Sequence, residues 1–180
     1  MAVRKIVHYG DPILRKVCKP VTDFSALPGL VNDLFDTMYE AEGIGLAANQ
    51  VGLDMNLFVI DANEPDVENS RRIFINGKIT RSQGESVFEE GCLSIPEVRL
   101  EIKRPELISF QYQDLDGNTI EEEFSELLGR AIQHEMDHLN GIFIIDRVST
   151  AQRLVIQKEL KEIEQDTKNR VQKRKKEFVL

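Results

Sequence analysis

The stretch "QHEMDHLNG", residues 133–141, holds two of the chain's three histidines, His134 and His138, with Glu135 between them. Apolar residues flank it at Leu127, Leu128, Ala131, Ile132 and Leu139, so the spacing predicts a largely buried helix from about Glu126 to Leu139. Ser125 stands at the N-cap, Glu126 lies in the first turn where its charge suits the helix dipole, and Asn140-Gly141 reads as a left-handed cap. Residues four apart share a helix face, so two imidazoles can grip one ion. Glu135, one step round, can touch a water on that ion. The bland alternative is two polar residues on an exposed helix. It fits poorly here, because buried imidazoles beside a carboxylate need a reason to be there.

Outward from this helix the chain reads as alternating structure. Asp11-Pro12 opens a short helix to about Val17, and Leu27 to about Ala41 carries apolar residues at helical spacing. "EGIGLAANQVG" (42–52) is small and glycine-rich. "NLFVIDA" (56–62) and "RRIFINGKI" (71–79) read as strands separated by the polar loop "ANEPDVENS" (62–70). Further strand-like runs fill 84–113, among them "VRLEIKR" and "LISFQYQ". "DLDGNT" (114–119) is a hairpin turn leading to "IEEEF". After "IFIID" a polar helix is expected from about Thr150 to Lys175, with Leu154, Leu160 and Ile163 on one stripe. The fold class is α+β: mixed or antiparallel strands around a central metal-binding helix, with a long C-terminal helix. One catalytic domain is expected over residues 1–165, followed by a basic tail over 166–180.

Composition narrows the classes. The 180 residues suffice for one cored domain, and 41% hydrophobic with 30% charged residues is ordinary for a globular protein. A formal charge of −8 argues against general nucleic-acid binding, DNA included, by the body of the chain. The N-terminus lacks an apolar signal region and no apolar run reaches membrane length, so neither secretion nor a membrane span is expected. The cysteines are only Cys18 and Cys92, which suits a reducing cytoplasm.

A hydrolytic metal usually has three protein ligands and an open position for water. The extended pattern H-E-x-x-H-x-x-G-x-x-H fails, since Gly141 fits but its last position is Ile144. Glu159 and Glu162 lie on a helix that reads as solvent-facing, and His8 sits near the terminus. Cys92, in "EEGCLSIP" (89–96), is flanked by Gly91 and Pro96 in what reads as a fixed turn, and a thiolate suits zinc or ferrous iron. A buried cysteine is also commonly a small hydrophobe. The residues alone leave Cys92 open between the two, while Cys18 has nothing chemical near it.

Three segments together resemble the peptide deformylase family: "GIGLAANQ" (43–50), "EGCLS" (90–94) and "QHEMDH" (133–138), in order and at suitable separations. "GDPILRKVC" and "HLNGIFIIDR" are also similar to it, so the resemblance spans roughly residues 3 to 148. The resemblance implies removal of the N-formyl group from the initiator methionine of new polypeptides. It implies a metal, natively Fe2+, held by Cys92, His134 and His138; Zn2+, Ni2+ or Co2+ can replace it in purified samples. It implies Glu135 as general base and then acid, and the Gln50 amide and Leu93 backbone N–H as oxyanion donors. It also implies that substrate pairs with the 43–50 segment like an added strand, with Gly45 as the contact and Ile44 lining the methionine pocket. The long C-terminal helix resembles the subgroup found in many bacteria. Asn49 stands where proline is common, and Gly77 where Asn-Pro would be usual; neither is expected to touch a ligand.

Gly43 to Ala48 also fits the dinucleotide fingerprint G-x-G-x-x-A, but it follows a helix and precedes a strand, the reverse of what that motif needs. Glu90 is expected to pair with Arg104 behind the site, against a surface-pair alternative. "KNRVQKRKK" (168–176) has six basic residues of nine, and reads either as a frayed helix end or as a contact with ribosomal RNA. The rival functions are a peptidase, which shares the helix motif, and a non-catalytic metal- or RNA-binding adaptor.

Overall fold

In the computed structural model, residues 2–62 and 70–177 are described, the last four of these by backbone alone. The polar loop expected over 62–70 lies almost wholly outside the described residues.

A short 3-10 turn, Pro12–Arg15, is capped by the Asp11 carboxylate, which accepts from the Ile13 N–H at 3.1 Å. The first helix, α1, runs Leu27–Glu40, as its apolar spacing predicts, and buries Leu27, Val31, Leu34, Phe35 and Met38. Strands β1 (Gly45–Ala47), β2 (Leu57–Asp61) and β3 (Arg71–Gln83) follow. Then come β4 (Ser86–Cys92), β5 (Ile95–Arg104), β6 (Leu107–Gln113) and β7 (Thr119–Ser125). Helix α2 spans Glu126–Leu139. The C-terminal region is α3 (Thr150–Val155) and α4 (Gln157–Glu177).

The strands form two antiparallel sheets. Five are ordered β1-β2-β3-β6-β7, with β1 and β7 at the edges, and β4-β5 is a separate hairpin. All five residues of β2 are buried, the apolar run 57–60 and the closing Asp61 alike, as a strand between two strands and two helices. One face of the sheet packs Phe58, Phe74, Phe110 and Phe124 under Leu128, Ala131, Ile132 and Met136 of α2. On the other face, Leu46, Leu57, Val59 and Ile75 meet α1. The hairpin has its own core, where Ile95, Val98, Leu100 and Ile102 pack with Phe143, Ile144, Ile145 and Leu160. The fold is therefore α+β, with α2 held between sheet and hairpin.

Three details depart from the sequence reading. Ser125 makes no side-chain cap bond and Glu126 takes φ 51°; the turn is tight enough that a Cβ at Gly129 would stand 2.8 Å from the Phe124 carbonyl. The expected Thr150–Lys175 helix is broken at Ile156. The break takes α3 out of phase with α4, so Leu160 is buried while Leu154 is exposed. Gly77 lies at a bulge in β3 beneath the Phe110 ring, and a Cβ there would stand 2.3 Å from Phe110 Cζ, so glycine fits where a larger residue would not. Among the described residues no helix is long and apolar enough to cross a membrane.

Candidate metal centre and active site

Helix α2 delivers the two histidines, and its end is tightly fixed. The Ile142 N–H reaches back to the Asp137 carbonyl at 2.9 Å and the Gly141 N–H to the His138 carbonyl at 3.1 Å, with Gly141 at φ +71°. More distant segments fill the same end. The Cys18 N–H donates to the Leu139 carbonyl at 2.8 Å, and the Asn49 side-chain amide to the His138 carbonyl at 2.5 Å. Asn49 thus does contact one of the two histidines, through its backbone, contrary to the expectation that it would not.

The hairpin delivers the thiol. Cys92 is the last residue of β4, pairs with Ile95, and so sits at the tight turn that Gly91 and Pro96 suggest. Cys92 Sγ lies 3.1 Å from His138 Nε2. Among the described residues, the ligand-capable atoms of Cys92, His134 and His138 all fall within 4.8 Å of one another. His8, Glu159 and Glu162 do not join them. An ion with metal–sulfur and metal–nitrogen bonds near 2.3 and 2.0 Å separates these atoms by roughly 3.5 Å in tetrahedral geometry. The cluster fits one ion with small adjustments. His138 Nε2 faces the sulfur and its buried Nδ1 has no hydrogen-bond partner among the described residues.

Behind the cluster, Glu90 Oε2 lies 3.0 Å from His134 Nδ1, which leaves Nε2 of that ring for an ion. Arg104, 1% exposed, chelates both Glu90 oxygens at 2.6 and 2.8 Å and reaches Asp137 at 2.8 Å. Arg130 adds a further contact to Glu90 at 2.7 Å, and Arg147 pairs with Asp137. The expected Glu90–Arg104 pair is therefore one part of a buried network. Burial opposes ionisation of Glu90, but Arg104 and His134 hold its carboxyl well below the usual carboxylate range. Burial likewise opposes the Cys92 thiolate, yet His138 and His134 bring the thiol well below its ordinary value. The site is built to keep sulfur anionic, the form that ligates metal.

Glu135 is 4% exposed, and its Oε2 is buried without a hydrogen-bond partner among the described residues. Burial raises its carboxyl above the usual value. An acidic oxygen left free at such a depth is available to a reacting group. Gly45 makes room for it: a Cβ at that position would stand 2.6 Å from Glu135 Oε1. The close approach that glycine permits here is thus to this carboxylate. Ile44 is partly exposed, and its carbonyl accepts from the Asp61 N–H at 2.9 Å. Gln50 is 1% exposed; its Oε1 accepts from the Ala47 N–H at 2.8 Å, and Nε2 donates to Ser94 Oγ at 3.2 Å. The other amide proton of Gln50 has no acceptor among the described residues. The Leu93 side chain packs against Gly43, and its N–H has no acceptor among the described residues.

A half-buried thiol, two imidazoles, a buried carboxylate and an oriented amide make a hydrolytic site, and comparison with known proteins agrees. Residues 3–154 match the family model described as polypeptide deformylase. The chain belongs to this family. A peptide deformylase of Chromobacterium violaceum is 46% identical, with 91% of this chain and 98% of that one covered. One from Acidobacterium capsulatum is 41% identical over 91% and 97%. The crystal structure of a peptide deformylase from Legionella pneumophila superposes with a TM-score of 0.82 at 40% identity, covering 96% of this chain and 99% of that one. The activity is the deformylase reaction, metal-dependent removal of the N-formyl group from new polypeptides. Sequence reasoning named the residues of the cluster and missed Asn49, Arg130 and Asp137 around it.

Proposed function

We propose that Cys92, His134 and His138 hold one ferrous ion, replaceable by Zn2+, Ni2+ or Co2+, and that around it the chain hydrolyses the N-formyl group of formylmethionyl nascent peptides in the cytoplasm. The convergence of those three side chains beside an unpartnered, buried Glu135 carries this reading. A bound metal of this kind supplies a water of lowered pKa and polarises the carbonyl under attack.

The chain's own groups do the rest. Glu135 takes the proton of the attacking water and passes it to the leaving amine. Burial raises the Glu135 carboxyl above its ordinary value, the direction that suits a group that must give the proton back. The uncommitted Gln50 N–H and the Leu93 N–H donate to the formyl oxygen as its charge grows, and the Gln50 amide cannot rotate away because both of its ends are already bonded. Substrate adds as a strand along β1, whose outer edge pairs with no strand among the described residues, and Ile44 lines the side of the methionine pocket. Residues 1–165 act as the catalytic domain. The basic tail over 166–180, whose residues up to Glu177 belong to α4, is the contact with ribosomal RNA.

A formylated methionyl peptide and its unformylated twin test the reaction. Formate release from the first alone is the expected result. Internal cleavage of both would mark a peptidase, and no reaction with either would mark a binding protein.

A further inference from the structure

We propose that Arg130 is a positioning residue: it clamps the β4-β5 hairpin, which carries the thiol, to α2, which carries the imidazoles, and so fixes the spacing of the Cys92–His134–His138 cluster. This rests on reading the cluster as the metal centre.

Among the described residues the hairpin pairs with no strand of the large sheet. Its apolar side, Ile95, Val98, Leu100 and Ile102, is buried against Phe143 to Ile145 and Leu160. Burial of this kind is strong but non-directional, and it does not by itself decide where Cys92 stands relative to α2. Directional contacts must do so, and Arg130 makes most of those that start on α2. Nη1 donates to Glu90 Oε1 at 2.7 Å and to the Ile102 carbonyl at 3.1 Å. Nη2 donates to the Ser86 carbonyl at 3.0 Å and to Ser86 Oγ at 2.7 Å. The guanidinium also lies 5.8 Å from the Phe88 ring centroid. One side chain therefore holds both strands of the hairpin. Arg104 is different: it belongs to β5, so its chelation of Glu90 braces the hairpin internally, and it reaches α2 only through Asp137.

Position on the helix gives the clamp its leverage. Arg130 is four residues before His134, on the same face, and both side chains end on the Glu90 carboxylate. Glu90 is two residues before Cys92. A planar fork with five donors can satisfy a carboxylate, two carbonyls and a hydroxyl at once; a lysine ammonium cannot span them.

The test follows metal retention on full-length protein. Zinc-loaded wild type, R130M and R130K are challenged with a coloured chelator and zinc transfer is timed. Cobalt-loaded samples report the thiolate-to-cobalt absorption band. R130M is expected to give up zinc about tenfold or more faster than wild type, with a weakened band, and R130K to lie between them. Wild-type release and an unchanged band in both variants, even with a lower Tm, would reduce Arg130 to ordinary structural support and overturn the proposal. Should R130M not fold, R130K and Ser86→Ala decide by the same two readouts. If wild type itself held zinc no better than Cys92→Ser and His138→Ala, the metal-centre reading would fall, and the clamp with it.

Discussion

The backbone of Gly45 lies directly against the carboxylate of Glu135, close enough that a methyl group would meet Oε1 at 2.6 Å. The edge strand and the metal-motif helix are thus fitted to each other at a single hydrogen atom. Gly45→Ala is expected to push the carboxylate aside and lower kcat about 100-fold, since displacements near 1 Å cost this much. Metal content should not change, because no ligand-capable atom moves. Glu135→Gln, which keeps the shape and removes the base, is the reference, with an expected loss of about 10²–10⁴-fold. Metal analysis beside steady-state rates checks both. Normal turnover in the alanine variant would show that the carboxylate can yield without cost.

Gln50→Ala should lower kcat far more than it raises KM. The amide contributes most when the formyl oxygen becomes anionic, and loss of such a donor costs about 3 kcal/mol. The buried Ser94 hydroxyl, which takes the Gln50 Nε2 proton and donates to the Val7 carbonyl at 2.9 Å, would remain in place. A change confined to KM would assign Gln50 to holding substrate.

Metal identity should govern rate and durability separately. The stability order favours nickel and zinc over ferrous iron at a site of two imidazoles and one thiolate. Zinc settles into four-coordinate geometry, whereas iron accepts a further ligand more readily. Apo-protein reconstituted without oxygen should be much more active with iron than with zinc. Air should abolish the iron form by oxidising the ion and the Cys92 sulfur. Parallel assays before and after exposure check this, and equal rates for the two metals would contradict it.

Truncation before Lys168 should leave turnover of small peptides intact. The buried anchors of α4, Leu160 and Thr167, both precede the cut. Ribosome co-sedimentation should fall, by an amount that shrinks as salt is raised. Equal sedimentation of the two proteins would favour a solvated helix end.

Much of this was legible in the chain because it follows local periodicity. Helix α2 has the bounds that its apolar spacing gives, Glu126–Leu139, and β5 alternates as "VRLEIKR" does. The same alternation held an unused signal. Val98, Leu100 and Ile102 are buried in phase, and Arg104 is the next residue in that phase, so its burial was written in the strand pattern. Arg130 and Asp137 carried no such mark, since a charge on an amphipathic helix ordinarily faces water. Their burial comes from the hairpin closing over α2, a long-range event that no window of sequence contains. Asn49 was unreadable for the same reason, its partner being the carbonyl of a residue 89 positions away. The break at Ile156 lacks a proline or glycine to announce it.

The end of α2 is held by residues read far earlier in the chain: Arg15 donates to the Gly141 carbonyl, Cys18 to that of Leu139 and Asn49 to that of His138. During synthesis those three early residues leave the ribosome before their partners at the end of α2 exist, the Asn49 contact spanning 89 positions. No N-terminal stretch that stops short of α2 contains all three residues of the cluster. Each new copy of the protein must therefore extend past α2 before it can load its ion, and until then it is itself a nascent chain awaiting an older copy's service.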